Sequence, residues 1–195
     1  MWQRFTERAR RVVYFAQEDA RKRGLAFVDT EHLLMGILLE SQNAPKSSAP
    51  DTVWPPPPQT PRSRYNLAYH MLTALNITPE NVQANLAPHP QSGTVPPLIN
   101  DMLLAPGGKR IIDLGYAEAR LLRHNHIGTE HLLLGLISDK KGAAGQVLAA
   151  LGAEIEQARL VAAKLRGAGT MNGMETPAQD LQIKTSKWWT WWRKK

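Results

Sequence analysis

The chain has 195 residues, 43% of them hydrophobic, which suits a soluble globular protein of one large or two small domains. It has no cysteine, so disulfides, thiolate metal sites and a cysteine nucleophile are excluded. The net charge is +7, but residues 181–195 carry five cations and no acid, which makes the basic character a property of the C-terminal end rather than of a nucleic-acid-binding domain.

The first segment, FTERARRVVYFAQEDARKRG, is charged and lacks the apolar core of a secretory signal. Its apolar residues fall at 5, 9, 12, 13, 16 and 20, a helical stripe, and Gly24 is placed to end the helix. Thr30 is expected to cap a second helix, with Glu31 in its first turn and Leu33, Leu34, Ile37 and Leu38 on its buried face. Residues 41–64, SQNAPKSSAPDTVWPPPPQTPRSR, contain four consecutive prolines and read as a stiff, solvated insert. YNLAYHMLTALNITPENVQANL then reads as two short helices, the second opened by Thr78-Pro79-Glu80. PHPQSGTVPP, residues 88–97, reads as a linker.

Beyond the linker the scheme repeats. Sliding residues 12–38 onto 111–137 without gaps gives eight identities in 27 positions, six of them in TEHLLMG against TEHLLLG. A second pair of helices follows, with Leu72, Ala74 and Leu75 matching Leu148, Ala150 and Leu151, and Asn76 in the place of Gly152. The offset falls from 99 to 76, which leaves 23 extra residues in the first copy, the Pro-rich insert. Gly107-Gly108 predict a looser start for the first helix of copy two. The expected architecture is all-α: two pseudo-symmetric four-helix repeats, residues 3–87 and 98–166, sharing one core, because about 60 residues are marginal alone. Residues 167–195 read as a flexible tail that ends in KWWTWWRKK.

FTERARRVV, the tandem TEHLL and the four-plus-four helix plan together resemble the Clp N-terminal domain of ClpA- and ClpC-type unfoldases, over about residues 3–166. The resemblance implies a docking module that captures clients or adaptors and passes them to an ATPase ring. No G-x-x-x-x-G-K-[ST] occurs in the chain, so no P-loop cradles a nucleotide here, and the chain is similar to stand-alone Clp N-like proteins without ATPase modules. The expected role is a non-catalytic accessory or regulatory factor of Clp-type proteolysis, cytoplasmic, without cofactor or metal. Its expected partners are protein clients, an adaptor, or a Clp ATPase or protease subunit. In ClpC-like domains a threonine of the first helix start and the glutamate of TEHLL line a site for phosphorylated arginine. The resemblance carries these roles onto Thr6 with Glu31 in copy one, and onto Glu130 in copy two, where position 105 is alanine instead of threonine. A carboxylate pairs with a guanidinium, and a hydroxyl with helix N-terminal amides holds a phosphate.

Three other features carry blander readings. Glu31-His32 and Glu130-His131 are not catalytic pairs: neighbours on a helix point about 100° apart, and HExxH is absent. His124-x-His126 near His131 is a weak metal signal that no acid completes in sequence, and reads as a surface loop. Trp188, Trp189, Trp191 and Trp192, with Arg193, Lys194 and Lys195, have the chemistry of a peripheral membrane contact or a protein-docking tail, with nucleic acid the weaker option. In that alternative the helical domain is only a scaffold.

Overall fold

The computed structural model describes residues 2–42, 66–86 and 103–167. The first repeat contains a 3-10 turn (Trp2–Arg4), α1 (Glu7–Lys22), β1 (Phe27–Val28), α2 (Thr30–Gln42), α3 (Leu67–Ala74) and α4 (Pro79–Asn85). The second contains β2 (Leu103–Leu104), α5 (Pro106–Leu121), α6 (Thr129–Ser138), α7 (Ala143–Ala150) and α8 (Ile155–Gly167). The fold is all-α apart from the two-residue strands. The insert beyond residue 42, the linker and the tail lie outside the described residues.

α1 forms where its sequence places it. The Thr6 hydroxyl accepts the Ala9 N–H at 3.2 Å, and Glu7 occupies the first turn. Phe5 and the stripe Ala9, Val12, Val13, Ala16 and Ala20 are buried. The helix stops at Gly24, φ +74°, where the Leu25 N–H reaches back to the Ala20 carbonyl at 2.9 Å. Arg123 repeats this stop at the end of α5, and Asn76 and Gly152 repeat it after α3 and α7, all at positive φ. The offsets of 99 and 76 read from the sequence thus mark equivalent bends of the backbone.

α2 and α6 depart from the expected single buried face. Ten of the 13 residues of α2 are buried, and every residue of α6 except Ser138. They are the central helices, enclosed on all sides, and their near-continuous apolar sequence is that of a core helix rather than an amphipathic one. Leu33, Leu34, Leu132 and Leu133 are fully buried in a single cluster that spans both repeats. Gly36 and Gly135 let α1 and α5 cross against them. A Cβ at Gly36 would stand 2.3 Å from the Val12 carbonyl oxygen, and one at Gly135 would stand 2.9 Å from that of Ile111.

The repeats are joined by exchange. β1 of the first repeat pairs in parallel with β2 of the second, Phe27 opposite Leu103 and Val28 opposite Leu104. The symmetric bridge pairs Phe5 with Ile127. The Thr6 N–H donates to the Ile127 carbonyl at 2.9 Å, and the Ala105 N–H to the Val28 carbonyl at the same distance. Phe5 also meets Tyr116 of α5 edge-on, ring centroids 6.1 Å apart. The start of each repeat is therefore seated on the other one.

Two sequence expectations change here. Thr30 is the first residue of α2, not its cap. Asp29 takes that place, its Oδ1 accepting the Thr30 N–H at 2.8 Å and its carbonyl accepting the Leu33 N–H at 3.2 Å. Gly107 and Gly108 do not loosen α5, which runs unbroken from Pro106. They allow its first turn to press on the other repeat: a Cβ at Gly107 would lie 2.0 Å from Asp29 Oδ1, and one at Gly108 would lie 2.6 Å from the Val28 carbonyl oxygen.

Candidate functional site

The seven-letter repeat has a distinct task for each polar side chain. The histidine sits at the third helical position and turns back to accept the N–H of the residue before the helix, Asp29 for His32 at 3.0 Å and Gly128 for His131 at 2.8 Å. This is the reciprocal half of a capping box, with imidazole in place of the usual glutamate. The threonine works across the repeats. Thr30 Oγ1 faces the Ala144 N–H of α7 at 3.4 Å, and Thr129 Oγ1 accepts the Ala68 N–H of α3 at 3.2 Å. Each hydroxyl thus serves an N-terminal amide of a helix in the other repeat.

The glutamates remain. Both are buried at their helix starts, Glu31 9% and Glu130 3% exposed. Glu31 Oε2 accepts the Thr30 hydroxyl at 3.2 Å, and Oε1 lies 3.9 Å from His32 Nδ1. Glu130 curls back over Gly128, where a Cβ would collide with both of its carboxylate oxygens. It is held by the guanidinium of Arg166, from the last turn of α8. Its Oε1 is also 3.4 Å from His131 Nδ1.

The strand exchange re-sorts the expected pairs. Thr6 bonds through its backbone to Ile127, so the N-terminus of α1 stands beside the α6 start that carries Glu130. Ala105 bonds to Val28, so the N-terminus of α5 stands beside the α2 start that carries Glu31. The α1 start that carries Thr6 therefore lies beside the α6 start of the other repeat, while the Thr6 hydroxyl itself accepts the Ala9 N–H. The α2 start that carries Glu31 lies beside Ala105 and the first turn of α5 in the same way.

His131 and His124 are neighbours. Nδ1 of His131 accepts a backbone N–H, so its proton resides on Nε2 and donates to His124 Nδ1 at 2.7 Å. Burial drives the His131 pKa down to about 3, helped by His124 and Arg166. The same burial and Arg166 lower that of His124, with Glu130 opposing. The expected loop histidines thus part: His124 turns inward, while His126 is exposed. The acid that the sequence did not offer is Glu130, whose carboxylate lies within 4.8 Å of ring nitrogens of His124 and His131. These atoms are committed to one another and to Arg166, so the group reads as a hydrogen-bonded cap with a guanidinium counter-ion.

The family model for the Clp repeat (R) N-terminal domain matches residues 4–47 and 104–185. The chain belongs to this family. Among Clp relatives, it is 32% identical over 188 residues to the negative regulator of genetic competence ClpC/MecB of Bacillus subtilis, covering 92% of this chain and 20% of that protein. It is 35% identical over 159 residues to the ATP-dependent Clp protease ATP-binding subunit ClpA homolog of Cyanidium caldarium, covering 82% of this chain and 16% of that one. The chain thus spans about a fifth of the length of these relatives or less. The crystal structure of the N-terminal domain of the chaperone ClpD from Arabidopsis thaliana superposes with a TM-score of 0.53 at 25% identity, over 85% of this chain and 99% of that one. The Hsp104 N-terminal domain from Candida albicans shares the fold, with a TM-score of 0.59 at 13% identity.

Within this Clp N-terminal domain, Thr6, Glu31 and Glu130 all stand at helix starts, and the pairing of Arg166 with Glu130 was not foreseen from the sequence. An arginine near a helix end is an ordinary C-terminal cation. Only the packing of α8 on α6 gives it a carboxylate. Trp188, Trp189, Trp191, Trp192, Arg193, Lys194 and Lys195 lie outside the described residues, as does the Pro-rich insert from residue 43. Among the described residues, no helix is long and apolar enough to cross a membrane.

Proposed function

We propose that this chain is a non-catalytic docking module that binds arginine-bearing segments of protein clients or adaptors and acts as an accessory or regulatory factor of Clp-type proteolysis. Clp N-terminal domains serve Clp unfoldases as docking modules for substrates and adaptors. One observation carries the reading: each TEHLL glutamate is buried at a helix start, with the N-terminus of a 16-residue helix from the opposite repeat beside it. The carboxylate suits a guanidinium, and the neighbouring helix amides suit a phosphate on it. Thr6 adds a hydroxyl at the Glu130 site. Phosphorylated arginine is the ligand class this chemistry fits best.

Fluorescence anisotropy with labelled octapeptides carrying one phosphoarginine, one arginine or one lysine tests it. The expected order of affinity is phosphoarginine, arginine, lysine. Glu31→Ala weakens phosphoarginine binding about tenfold, the loss of one charge-assisted hydrogen bond, while the far-ultraviolet circular dichroism stays unchanged. Loss of helicity in that variant would make Glu31 a structural residue, and equal binding of all three peptides would remove the guanidinium from the account.

A further inference from the structure

The two glutamate sites differ in what is packed over them. Ile155 and Pro79 are equivalent first residues of the last helices of the repeats, at the offset of 76. α4 ends at Asn85, whereas α8 continues to Gly167, six residues past the equivalent point. Arg166 lies in that extension, and its guanidinium reaches Glu130. The extension therefore ends on the Glu130 carboxylate, beside the α1 start that the strand exchange brings to α6.

The exposures on the two sides of this pair are unequal. The Glu130 side chain is 4% exposed and that of Arg166 is 35% exposed. The carboxylate is fixed and buried, and a buried carboxylate is costly unless a cation or hydrogen bonds satisfy it. The guanidinium comes from the solvent side, on the penultimate residue of a helix, where the last turn frays with little cost. A receptor for guanidinium that holds the chain's own guanidinium is a self-occupied site.

We propose that Arg166 is a built-in competitor for the arginine receptor at Glu130: the end of α8 closes the Thr6–Glu130 site, and an arginine or phosphoarginine side chain of a client enters by displacing it. This rests on the docking function proposed above. Phosphorylation gives the incoming ligand an advantage that Arg166 lacks, because its phosphate reaches the N-terminus of α1 and the Thr6 hydroxyl. The device therefore acts as a threshold: it lowers the affinity of both ligands by the same factor, and the phosphorylated one, with its added contacts, is the one that still binds at low concentration. The Glu31 site, where Ala105 stands in place of the threonine, offers the phosphate the α5 helix amides without the threonine hydroxyl.

The test uses the full chain and the same labelled phosphoarginine and arginine octapeptides. The proteins are wild type, Arg166→Ala, Glu130→Gln and the double variant. Arg166→Ala is expected to bind arginine peptide about tenfold more tightly, as follows if the site is self-occupied about nine-tenths of the time. The phosphoarginine peptide gains by the same factor, because it displaces the same residue, and the double variant loses the gain for both. Unchanged affinity in a folded Arg166→Ala protein overturns the proposal while wild-type binding keeps the docking function intact. If no variant binds either peptide, the docking function falls and the proposal with it. Should Arg166→Ala lose helicity, Arg166→Met preserves the packing of the stem. Unfolding of both variants would mark Arg166 as a structural staple and also overturn the proposal.

Discussion

His131 shows how much one side chain of the repeated motif is asked to do. Its Nδ1 accepts the Gly128 N–H, its Nε2 donates to His124, and its ring is fully buried. Protonation would remove the acceptor and place a cation near Arg166. The folded-state pKa, about 3, lies below the ordinary value of 6.5. Between those values the unfolded chain binds a proton that the folded one does not, so stability is complete above pH 6.5 and declines as the pH falls toward 3. Glutamine at the same position accepts the cap N–H without titrating. Melting temperatures of wild type and His131→Gln, recorded from pH 7.5 to 4, are expected to converge as the pH falls. Parallel curves would mean that the histidine does not contribute to the acid sensitivity.

At the scale of elements, the threonines of the repeated motif join helices that sequence order keeps apart. Thr129 caps α3 from the opposite repeat, and Asn66 adds a second acceptor by bonding the Tyr69 N–H at 3.1 Å. Thr129→Val keeps the shape and removes the hydroxyl, and should cost about 1 kcal/mol of unfolding free energy, read by urea denaturation. No change would show that water serves the Ala68 amide equally well. The helices themselves were legible because their signals are local: the stripe of α1, the stop at Gly24 and the Thr78-Pro79 start all lie within a few residues of what they specify. The placing of the α1 start beside the α6 start was not. It depends on Phe5 pairing with Ile127, 122 positions away, through a single bridge too short to leave a strand pattern in the sequence. Likewise Asp29, not Thr30, caps α2, because the threonine hydroxyl is already occupied with a helix of the other repeat. A helix surrounded by its own fold, as α2 and α6 are, also loses the polar face from which an amphipathic period is read.

For the whole molecule, the same exchange makes the two repeats interdependent. Each contributes the first strand residue, the helix start and the threonine that complete the other, and one core spans both. Co-expression of residues 1–90 with 91–195 is therefore expected to give a one-to-one helical complex by size-exclusion chromatography, whereas either piece alone loses most of its helicity. Two pieces that fold independently and elute apart would contradict the shared core.

Residue i of one half meeting residue j of the other, while j meets i, is the rule of an isologous dimer interface. Here that interface is enclosed in a single polypeptide. A true homodimer must accept every substitution twice, once on each side of its axis. A tandem chain is released from that constraint, and this one has used the freedom near both glutamates: Gly107 stands against Asp29 and Thr30 beside the Glu31 helix start, and Arg166 stands against Glu130. Covalent duplication has thus left the two glutamate positions non-equivalent, free to diverge without disturbing the scaffold they share.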